Sequence, residues 1–149
     1  ADFVAAGEIQ AIPGAAIDLE VIQQDLLEDA KTFEVLAFGF DPWQAQQMMG
    51  NIERETSIPC FEVRPTAAHM SEACKELQRR HVCGKLAHNG NQTLAWCVAN
   101  TVGLEDPGQN IKPSKTRNEL KIDLAVAMVQ AAVCRLRVPE PGVPEIMIL

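Results

Sequence analysis

Glu34-Val35-Leu36-Ala37-Phe38-Gly39-Phe40-Asp41-Pro42-Trp43-Gln44 is the stretch that decides the fold. From Glu34 to Phe40 the run is short, continuously apolar and carries a Val and two Phe. Without polar alternation, such a run reads as a central strand covered on both faces. A helix precedes it. Asp18 can cap a segment running to about Thr32, with Ile17, Val21, Ile22, Leu26 and Leu27 on one face and Glu20, Asp25, Glu28 and Asp29 on a solvated one. A second helix follows from Pro42 to about Glu53, and then a strand from about Cys60 to Val63. This alternation of helix and strand gives an α/β fold.

Working outward, residues 3–12 read as a further strand with a turn or bulge at Gly7, stopped by Pro13-Gly14. Pro65 to Met70 reads as a loop, and a helix beginning at Ser71 is ended by Gly84, near Lys85. Asn89-Gly90 and Asp106-Pro107-Gly108 are turn sequences. Between them, residues 92–102, with Trp96, fit neither helix nor strand decisively. A long helix is expected from about Asn118 to Leu136. A Pro-rich tail, residues 138–149, carries Pro139, Pro141 and Pro144 and ends in Ile146-Met147-Ile148-Leu149.

The 149 residues suffice for one domain with a substantial core. No stretch has the length and apolarity of a membrane span, and no basic start followed by an apolar run marks a signal peptide. The first residue is Ala rather than Met, as in a processed chain or an excised fragment. Five cysteines (Cys60, Cys74, Cys83, Cys97, Cys134) form no C-x-x-C pair, so reduced thiols in a cytoplasmic protein are expected rather than a zinc site. A formal charge of -7 excludes a surface that grips nucleic acid everywhere, and leaves room only for local contact.

Two acids carry the candidate chemistry. Asp123 stands near the start of Glu119-Leu120-Lys121-Ile122-Asp123-Leu124-Ala125-Val126-Ala127-Met128-Val129-Gln130-Ala131-Ala132-Val133, a helix apolar on most faces and therefore expected to be buried. A carboxylate buried there needs a cation, a metal or hydrogen-bond donors. It could favour the helix dipole, pair with Lys121 or bind metal. Asp41 ends the central strand, where open α/β sheets form their sites. It is equally a helix cap, with Pro42 in the first turn and Gln44 completing a capping-box-like pattern, and capping does not exclude metal binding. Mg²⁺ or Mn²⁺ would take such oxygens together with water and phosphate. The basic stretch from Ile111 to Lys121, with Lys112, Lys115, Arg117 and Lys121, is either a solvated loop or a strip of phosphate contacts leading to these acids. Lys75, Arg79, Arg80 and Lys85 are poorer candidates, being what a surface helix carries. His88, beside a turn, reads as a structural hydrogen-bonding residue, or else as a ligand or an acid-base group. Neither G-x-x-x-x-G-K-[ST] nor G-x-G-x-x-G occurs, so no ATP hydrolysis is expected of this chain.

Three segments together resemble the C-terminal nuclease domain of the tailed-bacteriophage terminase large subunit. They are Ala37-Phe38-Gly39-Phe40-Asp41-Pro42-Trp43-Gln44-Ala45; Met70 to Leu77 running into Gly84-Lys85-Leu86-Ala87-His88-Asn89-Gly90-Asn91, Trp96 and Asn100; and Asn110-Ile111-Lys112-Pro113-Ser114-Lys115 followed by Lys121 to Ala127. The resemblance covers about residues 3–135. It implies a ribonuclease-H-like mixed sheet flanked by helices, lacking the first strand and its metal-binding Asp. On this reading residues 1–137 are an N-terminally incomplete nuclease domain. The resemblance further implies a metal-dependent endonuclease that cuts concatemeric double-stranded DNA for packaging. Asp41 and Asp123 would be its catalytic, metal-binding acids, with up to two Mg²⁺ or Mn²⁺ in the intact domain. Lys112, Lys115, Arg117 and Lys121 would meet the DNA.

Implied partners are double-stranded DNA, the terminase ATPase domain, the small terminase subunit and the portal, in the cytoplasm of a bacterial host. The alternative is an inactive prophage remnant that docks DNA or serves assembly. A junction resolvase of the same fold would instead prefer branched DNA. An exposed sheet edge also invites a homo-oligomer.

Overall fold

The computed structural model describes residues 2–138. Its elements in chain order are α1 (Leu19–Thr32), β1 (Phe38–Phe40), α2 (Pro42–Thr56), β2 (Cys60–Glu62), α3 (Ala67–Val82), α4 (Gln92–Ala99), β3 (Val102–Glu105), β4 (Ile111–Ser114) and α5 (Asp123–Arg137). Strands β1 and β2 pair in parallel, Phe38 opposite Cys60 and Phe40 opposite Glu62. Strands β3 and β4 form an antiparallel hairpin. Among the described residues these are two separate two-stranded sheets, and no helix there is long and apolar enough to cross a membrane.

The parallel pair is covered on both faces. Ala37, Phe61 and Val63 pack with Met70, Ala73, Val129, Val133 and Cys134 of α3 and α5. Phe38, Phe40 and Cys60 pack with Leu27, Met49 and Ile52 of α1 and α2. Alternate residues thus serve opposite cores, as the two-residue period of a strand requires. That is why the run around β1 contains no polar residue. Helix α5 crosses β1 so closely that a Cβ on Gly39 would lie 2.6 Å from Cys134 Sγ and 3.0 Å from the Gln130 carbonyl oxygen.

The hairpin is carried by α3. Ser71 Oγ accepts from the Ile111 N–H at 3.1 Å, and Lys75 Nζ donates to the Gln109 carbonyl at 3.1 Å. At its tip Asp106 accepts from the N–H groups of Gly108 and Asn110. The Asn110 bonds hold its carboxyl below the usual range.

Several expectations are corrected. Residues 3–12 hold no strand: residues 3–8 turn back on themselves, with Gly7 at φ 72, and are pinned to α4. The pin is the Glu8 carboxylate, which accepts from Gln92 N (3.1 Å), Thr93 N (2.7 Å) and Thr93 Oγ1 (2.6 Å), while Phe3 lies against Trp96 with ring centroids 5.6 Å apart. The apolar run before Phe38 is not paired into the sheet. Thr66 opens α3 earlier than the expected loop allowed, its hydroxyl bonding His69 Nδ1 at 2.8 Å. Residues 92–99 are helical, capped by Asn91, whose Oδ1 accepts from Leu94 N. Helix α5 begins at Asp123 rather than Asn118, because Lys115 Nζ binds the carbonyls of Asn118 (2.9 Å) and Leu120 (3.2 Å) and holds that stretch as loop. Of the tail, only Val138 is among the described residues.

Candidate active site

Asp41 directly follows β1 and caps α2, its Oδ1 accepting from the Trp43 N–H at 3.1 Å. The expected capping box is absent. Trp43 (ψ 111) and Gln44 (φ 63) both leave helical geometry, so the chain makes an Asx turn before the regular helix starts. Asp41 lines an open cleft of about 520 Å³ with Pro42, Trp43, Arg64, Pro65 and Thr66.

Asp123 is exposed, contrary to the burial expected of it. The buried stripe of α5 is Ala125, Val129, Gln130, Val133 and Cys134, and the first residue of the helix projects beyond that stripe. The helix is less enclosed than its composition implies because Ala127 and Ala131 face out beside an apolar groove. The single polar residue in the stripe, Gln130, donates to the Val63 carbonyl at 3.1 Å. No ion pair joins Lys121 to Asp123 among the described residues.

The two acids lie toward the same end of the parallel pair. Phe61 packs under the Arg137 guanidinium and the Glu62 carbonyl accepts from Arg137, whereas the next residue, Val63, meets Gln130. As β2 advances, its contacts move back along α5, so α5 runs against the strands and its first turn lies beyond their C-terminal ends. Gln130 lies against Gly39. Asp123 is about 10 Å before Gln130 along the helix, and Asp41 is about 7 Å beyond Gly39 along the strand.

Lys112 is bonded at the wall of the Asp41 cleft. Its ammonium donates to the Pro65 carbonyl at 3.4 Å, and Pro65 walls the Asp41 cleft. Its other neighbours include Ala125 of α5, across a second groove. Lys115 is engaged by loop carbonyls, as described above. Arg117 and Lys121 are exposed; the Lys121 carbonyl accepts from Asn100 Nδ2 at 3.1 Å.

Of the other basic candidates, Lys75, Arg79 and Arg80 are structurally occupied. Glu76 takes Arg79 through two bonds of 2.8 Å and Arg80 through one of 2.7 Å, which holds the Glu76 carboxyl down to about 2. His88 Nδ1 accepts from the Gly90 N–H at 3.1 Å, the structural role.

The donor chemistry fits a metal of a particular kind. Asp41 and Asp123 each keep carboxylate oxygen without a protein partner among the described residues. Hard divalent cations take one or two such carboxylates and complete their shell with water and phosphate. No group of three His, Cys, Asp or Glu able to hold a metal occurs among the described residues, so a closed protein cage does not fit.

The family described as "Terminase large subunit, endonuclease domain" matches residues 3–140. The chain belongs to this family. It is 30% identical over 131 residues to protein YmfN of Escherichia coli (strain K12), covering 87% of this chain and 29% of that protein. It is 26% identical over 130 residues to the terminase large subunit of Enterobacteria phage HK97, covering 87% of this chain and 26% of that one. The crystal structure of the HK97 bacteriophage large terminase superposes with a TM-score of 0.79 at 26% identity, covering 89% of this chain and 28% of that chain. The chain therefore spans less than a third of the length of these relatives. The mixed α/β architecture is that of the terminase nuclease domain, consistent with a ribonuclease-H-like fold.

Proposed function

We propose that this terminase nuclease domain hydrolyses double-stranded DNA with Asp41 and Asp123 as its metal-holding acids. The observation that carries the reading is the direction of α5, which brings an exposed carboxylate at its first residue toward the end of the parallel pair where Asp41 stands. Mg²⁺ or Mn²⁺, when bound, would activate water and stabilise the phosphorane charge. The protein's own contribution is orientation. The Asx turn fixes one Asp41 oxygen on Trp43 N and leaves the other for metal, and the start of α5 presents Asp123. Lys112, Arg117 and Lys121 neutralise backbone phosphates, while Lys115 would do so only by sharing its ammonium with the loop it holds.

Within a full-length terminase of this family, the partners would be the ATPase domain, the small terminase subunit and the portal, in the cytoplasm of a bacterial host. A second reading, DNA docking or assembly without cleavage, draws on the two-carboxylate donor set, which lacks a third protein ligand grouped with it among the described residues.

Supercoiled plasmid incubated with the protein in Mn²⁺, beside Asp123→Asn and an EDTA control, separates the two. Nicking and linearisation lost in both controls support the nuclease. DNA binding that weakens with salt but never cuts, from a folded protein, overturns it in favour of docking.

A further inference from the structure

Trp43 is 79% exposed, more than any other large hydrophobic residue described here. A single exposed apolar side chain is ordinary on a protein surface. This one is held out by the backbone. Pro42 fixes its own φ, Asp41 binds the Trp43 N–H, and Gln44 adopts φ 63, a left-handed conformation uncommon for a residue other than glycine. A regular helical turn from Asp41 would have removed both departures. The indole also shares the wall of the Asp41 cleft with Arg64, whose side chain is 63% exposed and whose nearest acid, Glu62, lies at 3.9 Å. Lys112 reaches the same wall at Pro65. A flat aromatic face, one cation and a candidate metal acid thus border one open cleft, with a second cation bonded to its Pro65 wall, on a chain whose net charge is -7.

We infer that Trp43 is a stacking platform for a nucleobase, which it receives at a DNA end or at a locally opened step beside Asp41. The inference rests on the reading of this cleft as a DNA-cutting site and names the form of DNA it takes. An aromatic ring meets a base face only where that face is free, so an intact duplex interior offers Trp43 nothing to stack on. Every base has such a face, and the contact therefore carries no sequence preference. Arg64 and Lys112 would hold the flanking phosphates.

The chain has two tryptophans, so Trp96→Phe leaves Trp43 as the sole emitter. In EDTA, this variant is titrated with a single-stranded oligonucleotide, a blunt duplex of the same length and a dumbbell duplex closed at both ends by non-nucleotide linkers. Binding is read in parallel by anisotropy of labelled DNA. Trp43 emission should be quenched by the single strand and the open duplex and much less by the dumbbell. Trp43→Ala should weaken single-strand binding about tenfold with an unchanged melting temperature, and Trp43→Phe should restore most of it.

Binding with unchanged Trp43 emission, or Trp43→Ala binding as tightly as the parent, overturns the stacking role and leaves the nuclease reading intact. Equal quenching by all three DNAs overturns the requirement for a free base. No binding of any DNA overturns both readings. Quenching as expected from a protein that never cuts plasmid overturns cleavage alone.

Discussion

Gly39 occupies the point where α5 presses on β1, and the space for a methyl group there is already filled by Cys134 Sγ and the Gln130 backbone. Both obstacles belong to the buried stripe of α5, which cannot retreat without disturbing Val129 and Val133. Gly39→Ala should therefore destabilise the fold by about 1–3 kcal/mol, as overpacking does, read as a lower urea midpoint at constant slope. Asp123 offers the opposite case. It is exposed at a helix start, so Asp123→Asn should change stability by less than about 1 kcal/mol, the limit of an exposed dipole contribution, while removing any metal-dependent cleavage. Its position at the head of an apolar helix was legible in the sequence. Its exposure was not, because composition gives a helix's apolar content without saying where along its length the neighbouring elements stop.

At the scale of elements, the reading succeeded where local chemistry decides. Asp18 caps α1 through the Glu20 N–H, Asp41 caps the turn before α2, and Gly84 at φ 65 closes α3. It failed where a distant partner decides. Residues 3–12 have the apolar content of a strand, but Glu8 binds a helix terminus 84 residues away and imposes a turn. Helix α4 is too short to display a period, and its first N–H groups are satisfied by that same carboxylate and by Asn91.

The Thr93 and Gln92 bonds hold the Glu8 carboxyl below its ordinary 4.5. A depressed folded-state value means that the stabilisation is complete above the unfolded value and lost as pH falls through the folded one. Amide protection factors, corrected for the intrinsic rate at each pH, should fall together in residues 2–9 and at the start of α4 below about pH 4.5, and Glu8→Gln should show the loss at neutral pH. Protection in α4 that ignores pH and this substitution would refute the tie. Asn91→Ala should cost α4 about 1 kcal/mol through loss of its cap.

For the molecule as a whole, two cores share one thin sheet, and the second rests on few residues. Ile52 is fully buried between α1, α2 and the strands. Ile52→Ala should cost about 2–5 kcal/mol, measured by equilibrium denaturation, and should loosen α1 and α2 before the α3–α5 side. The charge distribution sets a second whole-molecule expectation. With Arg79 and Arg80 committed to Glu76, and Lys115 to its own loop, few cations remain for DNA. The logarithm of the binding constant should fall with the logarithm of salt at a slope of roughly -2 to -4, one phosphate contributing about -0.9. A slope near -8 would mean that contacts come from a much wider surface.

The graded burial of the thiols gives this protein an internal clock for its own opening. Cys83 is exposed, Cys60 and Cys74 are half-buried, and Cys97 and Cys134 are buried. Burial pushes the thiols of Cys74 and Cys134 up, and that of Cys60 up to about 11. An alkylating reagent at neutral pH should mark Cys83 within its intrinsic reaction time and reach Cys134 only when α5 lifts from the sheet at Gly39. The lag between the labelling of Cys83 and that of Cys134, told apart by peptide mass, then reports how often that happens, with no residue replaced.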